Sequence, residues 1–372
     1  MTSTTVSAGN VETKFDKKVN REYVREGRYG AHIGTTENSV IQVNKNLNKK
    51  SIPLVAKLSG TGVSGSTSLV GAEEALSNFD FTFNPTHKRN AVLIDNEENE
   101  KSSFQLKQEA RPALMNWAME LKRDEITQAL GAIDGIDYGT ATAGQLDTWN
   151  TNNADRILYG SAIGNYSGGD HTASLATIDT TNDKLDAAMI TLMKRRASLA
   201  SPLVRPVIIK GDEPWYIFFV GSLGFRDLQN DATIAAANRE ARPRVVADNP
   251  IFTGGDLVYN GVIIKEIPDM DKFIDGDGSS SAFDGVWGAN STADGLDNGG
   301  NTASRVGVGF LCGGQAVIFG MAKMPKFTRK KEDDYEFQNG VGIIMKHEIK
   351  KTFFNDKQHG MLTVFHSATA DA

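Results

Sequence analysis

The chain of 372 residues has a single cysteine, Cys312. That excludes an intrachain disulfide and any metal site built from clustered thiolates. It has few histidines, at 32, 87, 171, 347, 359 and 366, and no two stand four apart, so the H-E-x-x-H zinc arrangement is missing. It lacks an excess of positive charge. The net charge of −6 removes the basic field expected of a specific nucleic-acid reader. It lacks an apolar run long enough to span a bilayer, and residues 1–18 lack the apolar stretch of a secretory signal. Synthesis and folding in a cytoplasm are therefore expected. No phosphate-cradling G-x-x-x-x-G-K-[S/T] occurs. The glycine-rich stretches 59–66 and 307–314 fit turns or strand bends better than a dinucleotide fingerprint. In GVSGS (62–66), Ser66 stands where a nucleophile elbow needs glycine. The four tryptophans, 117, 149, 215 and 287, are scattered and form no stacking platform for single strands.

What is present is the composition of a folded protein, 40% hydrophobic and 23% charged, and length enough for two or three domains. Its organising stretch is 102–133, which reads as one amphipathic helix roughly 45 Å long. Leu114, Trp117, Ala118 and Leu121 follow i, i+3, i+4, i+7, and so do Ile126, Ala129, Leu130 and Ile133. The two quartets are out of phase at their join, which predicts packing against more than one layer. Pro112 predicts either a helix start or a kink.

Before this helix, residues 1–11 are small and polar and read as a loosely held tail. Residues 12–50 carry nine Lys or Arg against five acids, with apolar residues too sparse for a core. Such an arm has to lie on something else, either its own body or a neighbour, although on charge alone a plain solvated tail is the better explanation. Residues 52–58 and Phe79, Phe81 and Phe83 alternate apolar with polar, predicting two strands joined by the Gly/Ser/Thr tip 60–71. An isolated hairpin of that kind is marginal in water and needs a surface beneath it.

After the helix, 134–177 reads as an insertion of loops with one short helix. A second helix is expected over 181–199, capped by Asn182 or Asp183. Buried strands follow at 203–220, then a helix over 227–240. A hairpin turns about Asn260–Gly261, and 275–302 is a low-complexity loop. The remainder is strand-rich, at 306–310, 316–319, 342–346, near 353, and 360–365. Helices and strands without regular alternation predict an α+β fold.

Chemistry is sparse. DGDGS (275–279) starts like a calcium loop, but Ser280 and Val286 occupy its glycine and glutamate positions. Cys312, in an apolar strand, reads as a buried thiol. Asp269, Asp271, Asp275 and Asp277 are the one carboxylate cluster a metal-dependent enzyme could use, and a solvated loop explains them better.

The ordered combination of charged arm, bare hairpin, long helix and α+β body resembles the major capsid proteins of tailed double-stranded DNA bacteriophages, with the Hong Kong 97-like fold. The resemblance covers about residues 20–366. It rests on the tip 60–71 followed by Glu73 and Glu74, on RILYG (156–160), and on WYIFFV and RDLQND within 215–231. NPIFTGGDLVYNGVIIKE (249–266) and GGQAVIFG (313–320) also carry it. The resemblance implies an N-terminal arm (1–50) and an extended loop (51–101). It implies a peripheral domain (102–180) holding the spine helix 102–133 and the insertion 134–177. An axial domain (181–303) and return strands of the peripheral domain (304–372) complete the chain. It implies a structural protein, not an enzyme, without cofactor or metal, that self-assembles as hexamers and pentamers into an icosahedral head. Arg21, Arg25, Arg28, Glu73, Glu74, Phe79, Phe81, Phe83, Trp117 and Arg123 are the candidate assembly residues. The partners it implies are further copies of the chain, scaffold and portal proteins, a decoration protein, and packaged DNA touched without sequence readout. No membrane is among them. Relatives that crosslink join Lys to Asn. Lys88 and Asn355 stand in the corresponding regions, but no spacing supports a bond and none is expected. The arm reads as too short for a scaffolding segment, so a separate scaffold is expected. Other virion proteins, of the tail or decorating the head, form the alternative reading.

Overall fold

The computed structural model describes residues 27–45, 50–58, 60–102, 105–209, 213–240, 256–271, 291–292, 295–296, 305–333 and 338–368. The chain divides into two compact units. One combines His87–Leu121 with Met324–Lys346, and the larger combines Gly27–Thr86, Lys122–Lys323 and His347–Ala372.

The heart of the larger unit is a seven-stranded sheet. Its order is Ile157–Tyr159, Met361–Ser367, Val306–Cys312, Glu213–Val220, Val262–Glu266 and Leu257–Tyr259, with Val207–Ile209 pairing the start of Glu213–Val220. Strand Glu213–Val220 explains why the run WYIFFV is apolar throughout. Ile217 and Phe219 enter one core, while Tyr216, Phe218 and Val220 enter another on the opposite face. A strand buried on both faces has no polar side to show. The same alternation sends Met361 and Phe365 one way and Leu362 and Val364 the other. Helix Ala187–Leu199 covers the second face with Met189, Ile190 and Met193.

The long helix runs Leu106–Gly131. It begins six residues ahead of Pro112, so the proline lies inside it and does not start it. Its two apolar quartets serve different cores, as their phase break predicts. Leu114 and Ala118 are buried with Ile94, Val341, Ile343 and Met345 in the smaller unit. Ile126, Leu130 and Ile133 are buried with Trp149, Phe219 and Phe310 in the larger one.

Several expectations need correction. Residues 134–177 are not an insertion of loops. Helices Ala143–Asn152 and His171–Leu175 and strand Ile157–Tyr159 put Leu146, Trp149, Tyr159 and Leu175 into the main core. The helix expected over 181–199 starts at Ala187, and its cap is Asp186, whose carboxylate accepts from the Met189 amide at 2.7 Å. The helix expected over 227–240 is two, Ser222–Asn230 and Ala232–Glu240. The described part of the charged arm lies on its own body, one of the two surfaces expected for it. Tyr29, Val40 and Ile41 are core residues, and Ile41–Lys45 pairs in parallel with Val317–Met321. Of the strands expected as 304–372, Val306–Cys312 and Met361–Ser367 pair within the seven-stranded sheet. The Asn260–Gly261 turn is as expected, with Tyr259 opposite Val262 and both turn residues at positive φ. Residues 1–26 and most of 275–302 lie outside the described residues.

One edge of the larger sheet is closed by a side chain. The Asn38 amide donates to the Ile208 carbonyl at 2.5 Å and accepts from the Ile208 amide at 2.6 Å, occupying the main-chain groups a further strand would use.

Candidate assembly surfaces

The extended hairpin is built from Lys50–Val55 and Asn78–Phe83, paired with Ile52 opposite Phe81 and Leu54 opposite Phe79. Alternation decides its two faces. Phe81 and Phe83 are fully buried, and with Phe79, Ile52 and Leu54 they pack on Ile318, Phe353 and Phe354. Phe81 meets Phe83 and Phe353 edge-on at 4.8 and 5.1 Å, a favoured aromatic geometry. These three phenylalanines therefore anchor the root of the loop in its own chain.

The tip is different. The described residues of 56–77 contain no strand or helix and turn through Gly62, Gly65 and Gly71, all at positive φ. Glu74 accepts from the Gly60 amide at 2.6 Å and Glu73 from the Gly71 amide at 2.7 Å. The two glutamates thus hold the turn. The side chains this arrangement leaves in water are apolar, with Leu69 57%, Val70 86% and Leu76 63% exposed. These residues were missed in reading the sequence. Their signal is LVGAEEAL, apolar residues among acids where no periodicity gives them a core.

The remaining candidates lie apart. Arg28 is half-exposed and faces Glu266 at 3.7 Å and Asp256 at 4.0 Å. Arg123 is nearly buried, 2.7 Å from Asp124 and 3.6 Å from Asp269. Both cations thus meet acids of 256–271. Trp117 is partly buried against the smaller unit's core. Arg21 and Arg25 lie outside the described residues.

Of the carboxylates at 269, 271, 275 and 277, the two that are described are each engaged within the fold. Asp269 is the partner of Arg123, and Asp271 accepts from both the amide and the hydroxyl of Ser222, at 2.6 and 2.5 Å, at the start of helix Ser222–Asn230. Asp275 and Asp277 lie outside the described residues. Among the described residues no group of three or more His, Cys, Asp and Glu side chains is placed to hold a metal ion, and no helix is long and apolar enough to cross a membrane.

Buried titratable groups are built into the core. His171 lies between the hydroxyls of Tyr138 and Tyr159, at 2.8 and 2.7 Å, and burial lowers its pKa to about 4, so it is neutral there. Burial raises the Cys312 thiol, the direction opposite to nucleophile activation. Arg156, fully buried, donates to the Gln358 carbonyl and, at 2.9 Å, to the Pro202 carbonyl, and pairs with Asp155 at 3.2 Å. It ties the start of the RILYG stretch to the segments around Gln358 and Pro202.

A long loop on which Leu69, Val70 and Leu76 stand exposed has the character of a structural protein that works by contact with other chains. Comparison with known proteins agrees. A family profile described as phage capsid protein matches residues 3–370, and the chain belongs to that family. It is 24% identical over 356 residues to the major capsid protein of Pseudomonas phage KPP25, covering 87% of this chain and 85% of the relative. Its structure matches the capsid asymmetric unit of Cyanophage Pam1 with a TM-score of 0.86 and 32% identity, over the whole of both chains. The capsid of Ralstonia phage GP4, 19% identical with a TM-score of 0.68, shares the fold. The fold is the Hong Kong 97-like one, and the chain is a capsid subunit that associates with itself in the virion shell.

Proposed function

We propose that this chain is the repeating subunit of an icosahedral phage head, arranged in hexamers and pentamers of one polypeptide. The loop 56–77 carries the reading. Leu69, Val70 and Leu76 stand in water on a segment without a core of its own, and an exposed apolar ridge of this kind is stabilised when another chain covers it. Interwoven loops give the large interfaces of permanent complexes. In this reading residues 1–50 form the arm and 51–101 the extended loop. Helix Leu106–Gly131 is the spine of the peripheral domain, and the seven-stranded sheet with helix Ala187–Leu199 builds the axial one. Arg21, Arg25, Arg28, Glu73, Glu74, Trp117 and Arg123 act at or beside subunit contacts. The subunit is made in the host cytoplasm and performs no catalysis. It assembles on a separate scaffold around a portal, accepts a decoration protein, and meets packaged DNA through its backbone without sequence readout.

The test is negative-stain electron microscopy of the full chain after size-exclusion chromatography. Closed shells, hexamers or pentamers are the expected particles. Compact monomers in every salt and crowding condition, with co-expressed scaffold included, would overturn the proposal. Uniform shells from the chain alone would remove the scaffold from it.

A further inference from the structure

Residues 27–34 are seated on the body of the larger unit by two rings. Tyr29 is buried in the main core, edge-on to Phe219 at 5.0 Å. Its hydroxyl lies 2.9 Å from that of Thr127 on the long helix. The Thr127 hydroxyl donates to the Arg123 carbonyl at 3.1 Å, so the tyrosine donates to it. One turn of 3-10 helix, Gly30–His32, carries the second ring. His32 also meets Phe219 edge-on, at 5.9 Å. Beyond it, Ile33 and Gly34 pair in parallel with Ile41 and Gln42.

The two rings differ in how their polar atoms are satisfied. The Tyr29 hydroxyl has its partner. The His32 ring is half-buried overall, but its Nε2 is out of water and has no hydrogen-bond partner among the described residues. A neutral imidazole tolerates that position, because its unprotonated nitrogen carries no charge to solvate. An imidazolium does not, since a buried charge without a partner is costly. The surrounding charges offer it no relief. Lys265 opposes the imidazolium and Asp256 favours it, but Asp256 is already engaged by Lys265 and lies 4.0 Å from Arg28. Glu266 faces Arg28 at 3.7 Å. On the Tyr29 side, Asp124 and Asp269 both face Arg123. Each of these carboxylates therefore has a cation beside it already. Burial, and then Lys265, lowers the His32 pKa to about 4, against about 6.5 for a histidine in water.

We propose that the seat of residues 27–34 is a pH-operated latch. Protonation of His32 lifts the segment, with Tyr29 and Arg28, off the larger unit, while Ile41–Lys45 stays paired with Val317–Met321. The sign follows from proton counts. Above pH 6.5 neither the seated nor the lifted form holds the proton, and the seat has its full stability. As pH falls from there to about 4, the lifted form binds the proton and the seated form does not, so the seat weakens. Between pH 7 and 5, above the ordinary carboxylate range, histidine is the side chain that changes charge. Across that window the lifting equilibrium rises about twenty-fold. Local openings of this kind precede global unfolding where a short segment is held by few contacts.

The test is amide hydrogen exchange of the full chain, corrected for the intrinsic rate at each pH and read by mass spectrometry. The peptide covering 27–34 is expected to exchange about twenty-fold faster at pH 5 than at pH 7. In His32→Gln and His32→Phe, which cannot take up the proton, the change is expected to stay below about three-fold. The titration of His32 itself, read in wild type from the slow exchange of its ring C2 hydrogen, is expected near a pKa of about 4. A wild-type rise below about three-fold, or an equal rise in both variants, would overturn the latch. So would a His32 pKa of about 6.5, and that reading decides the matter even where a variant loosens the segment at pH 7.

Discussion

Replacing Lys351 with methionine is expected to stabilise this protein. The ammonium is buried in the larger unit, with one hydrogen-bond acceptor, Gln358 Oε1 at 3.3 Å, and the Trp149 ring 5.6 Å away. Burial lowers its pKa from 10.5 to about 8, against the pull of Asp134 and Cys312. That depression is worth about 3 kcal/mol of penalty on the charged form. Below pH 8 both folded and unfolded chains carry the proton, so the penalty is present in full. Between pH 8 and 10.5 the unfolded chain holds more protons, and stability rises with pH. Methionine keeps the length and flexibility and removes the charge. Gln358 Oε1 retains the Thr363 hydroxyl as a donor at 3.3 Å, so no orphaned acceptor offsets the gain. Lys351→Met should raise stability by about 1–3 kcal/mol at pH 7. Cys312 acts in the opposite sense. Its thiol is raised from 9.0 by burial, so the unfolded chain loses that proton first and stability falls above about pH 9. The clean window is therefore pH 8 to 9, where wild type should gain about 1 kcal/mol and the variant nothing. Urea unfolding of the dissociated chain, followed by tryptophan fluorescence, measures both. A variant destabilised by more than about 1 kcal/mol at pH 7, or a wild type without gain from pH 8 to 9, would refute the reasoning.

Two further substitutions test the core in the same assay. Arg156→Met strips donors from the Gln358 and Pro202 carbonyls and the ion partner from Asp155, and should cost about 3–5 kcal/mol. Gly160→Ala puts a Cβ 2.1 Å from Asp183 Oδ1 at a φ of +59°. It displaces a carboxylate that accepts from the Ser161 and Asp179 amides, and a loss of about 2–4 kcal/mol is expected.

The long helix, the hairpin root and the Asn260–Gly261 turn were legible in the sequence because each is written locally, as a 3.6-residue period, a two-residue period and a turn dipeptide. The segment 134–177 was not. Its few apolar residues, among them Trp149, Tyr159 and Leu175, show no period because they reach one core from separate short elements. Strand Ile157–Tyr159 is three residues long, and its partner Thr363–Phe365 lies about two hundred residues away. Its polar residues look like loop chemistry but are structural. Thr142 and Gln145 close a capping box on helix Ala143–Asn152, and Asp170 caps His171–Leu175. The candidate site was half legible. Alternation found Phe79, Phe81 and Phe83 yet could not tell that Phe81 and Phe83 face their own chain, because Phe353 and Phe354 sit at the far end of the sequence. The apolar tip residues Leu69, Val70 and Leu76 went unnoticed, since exposure is not a local property.

Asn38 bears on a hazard peculiar to crowded assemblies. Strand Val207–Ile209 stands beside Glu213–Val220 on one side only, and a bare strand edge is a template for pairing with any other chain. Within a shell every copy is held close to its neighbours. An amide side chain that fills the donor and acceptor of Ile208 imitates a neighbouring strand without offering an edge of its own. Growth by backbone zippering stops there, and association is left to the surfaces that encode geometry. One side chain in a turn thus withdraws from backbone pairing an edge that close neighbours could otherwise use.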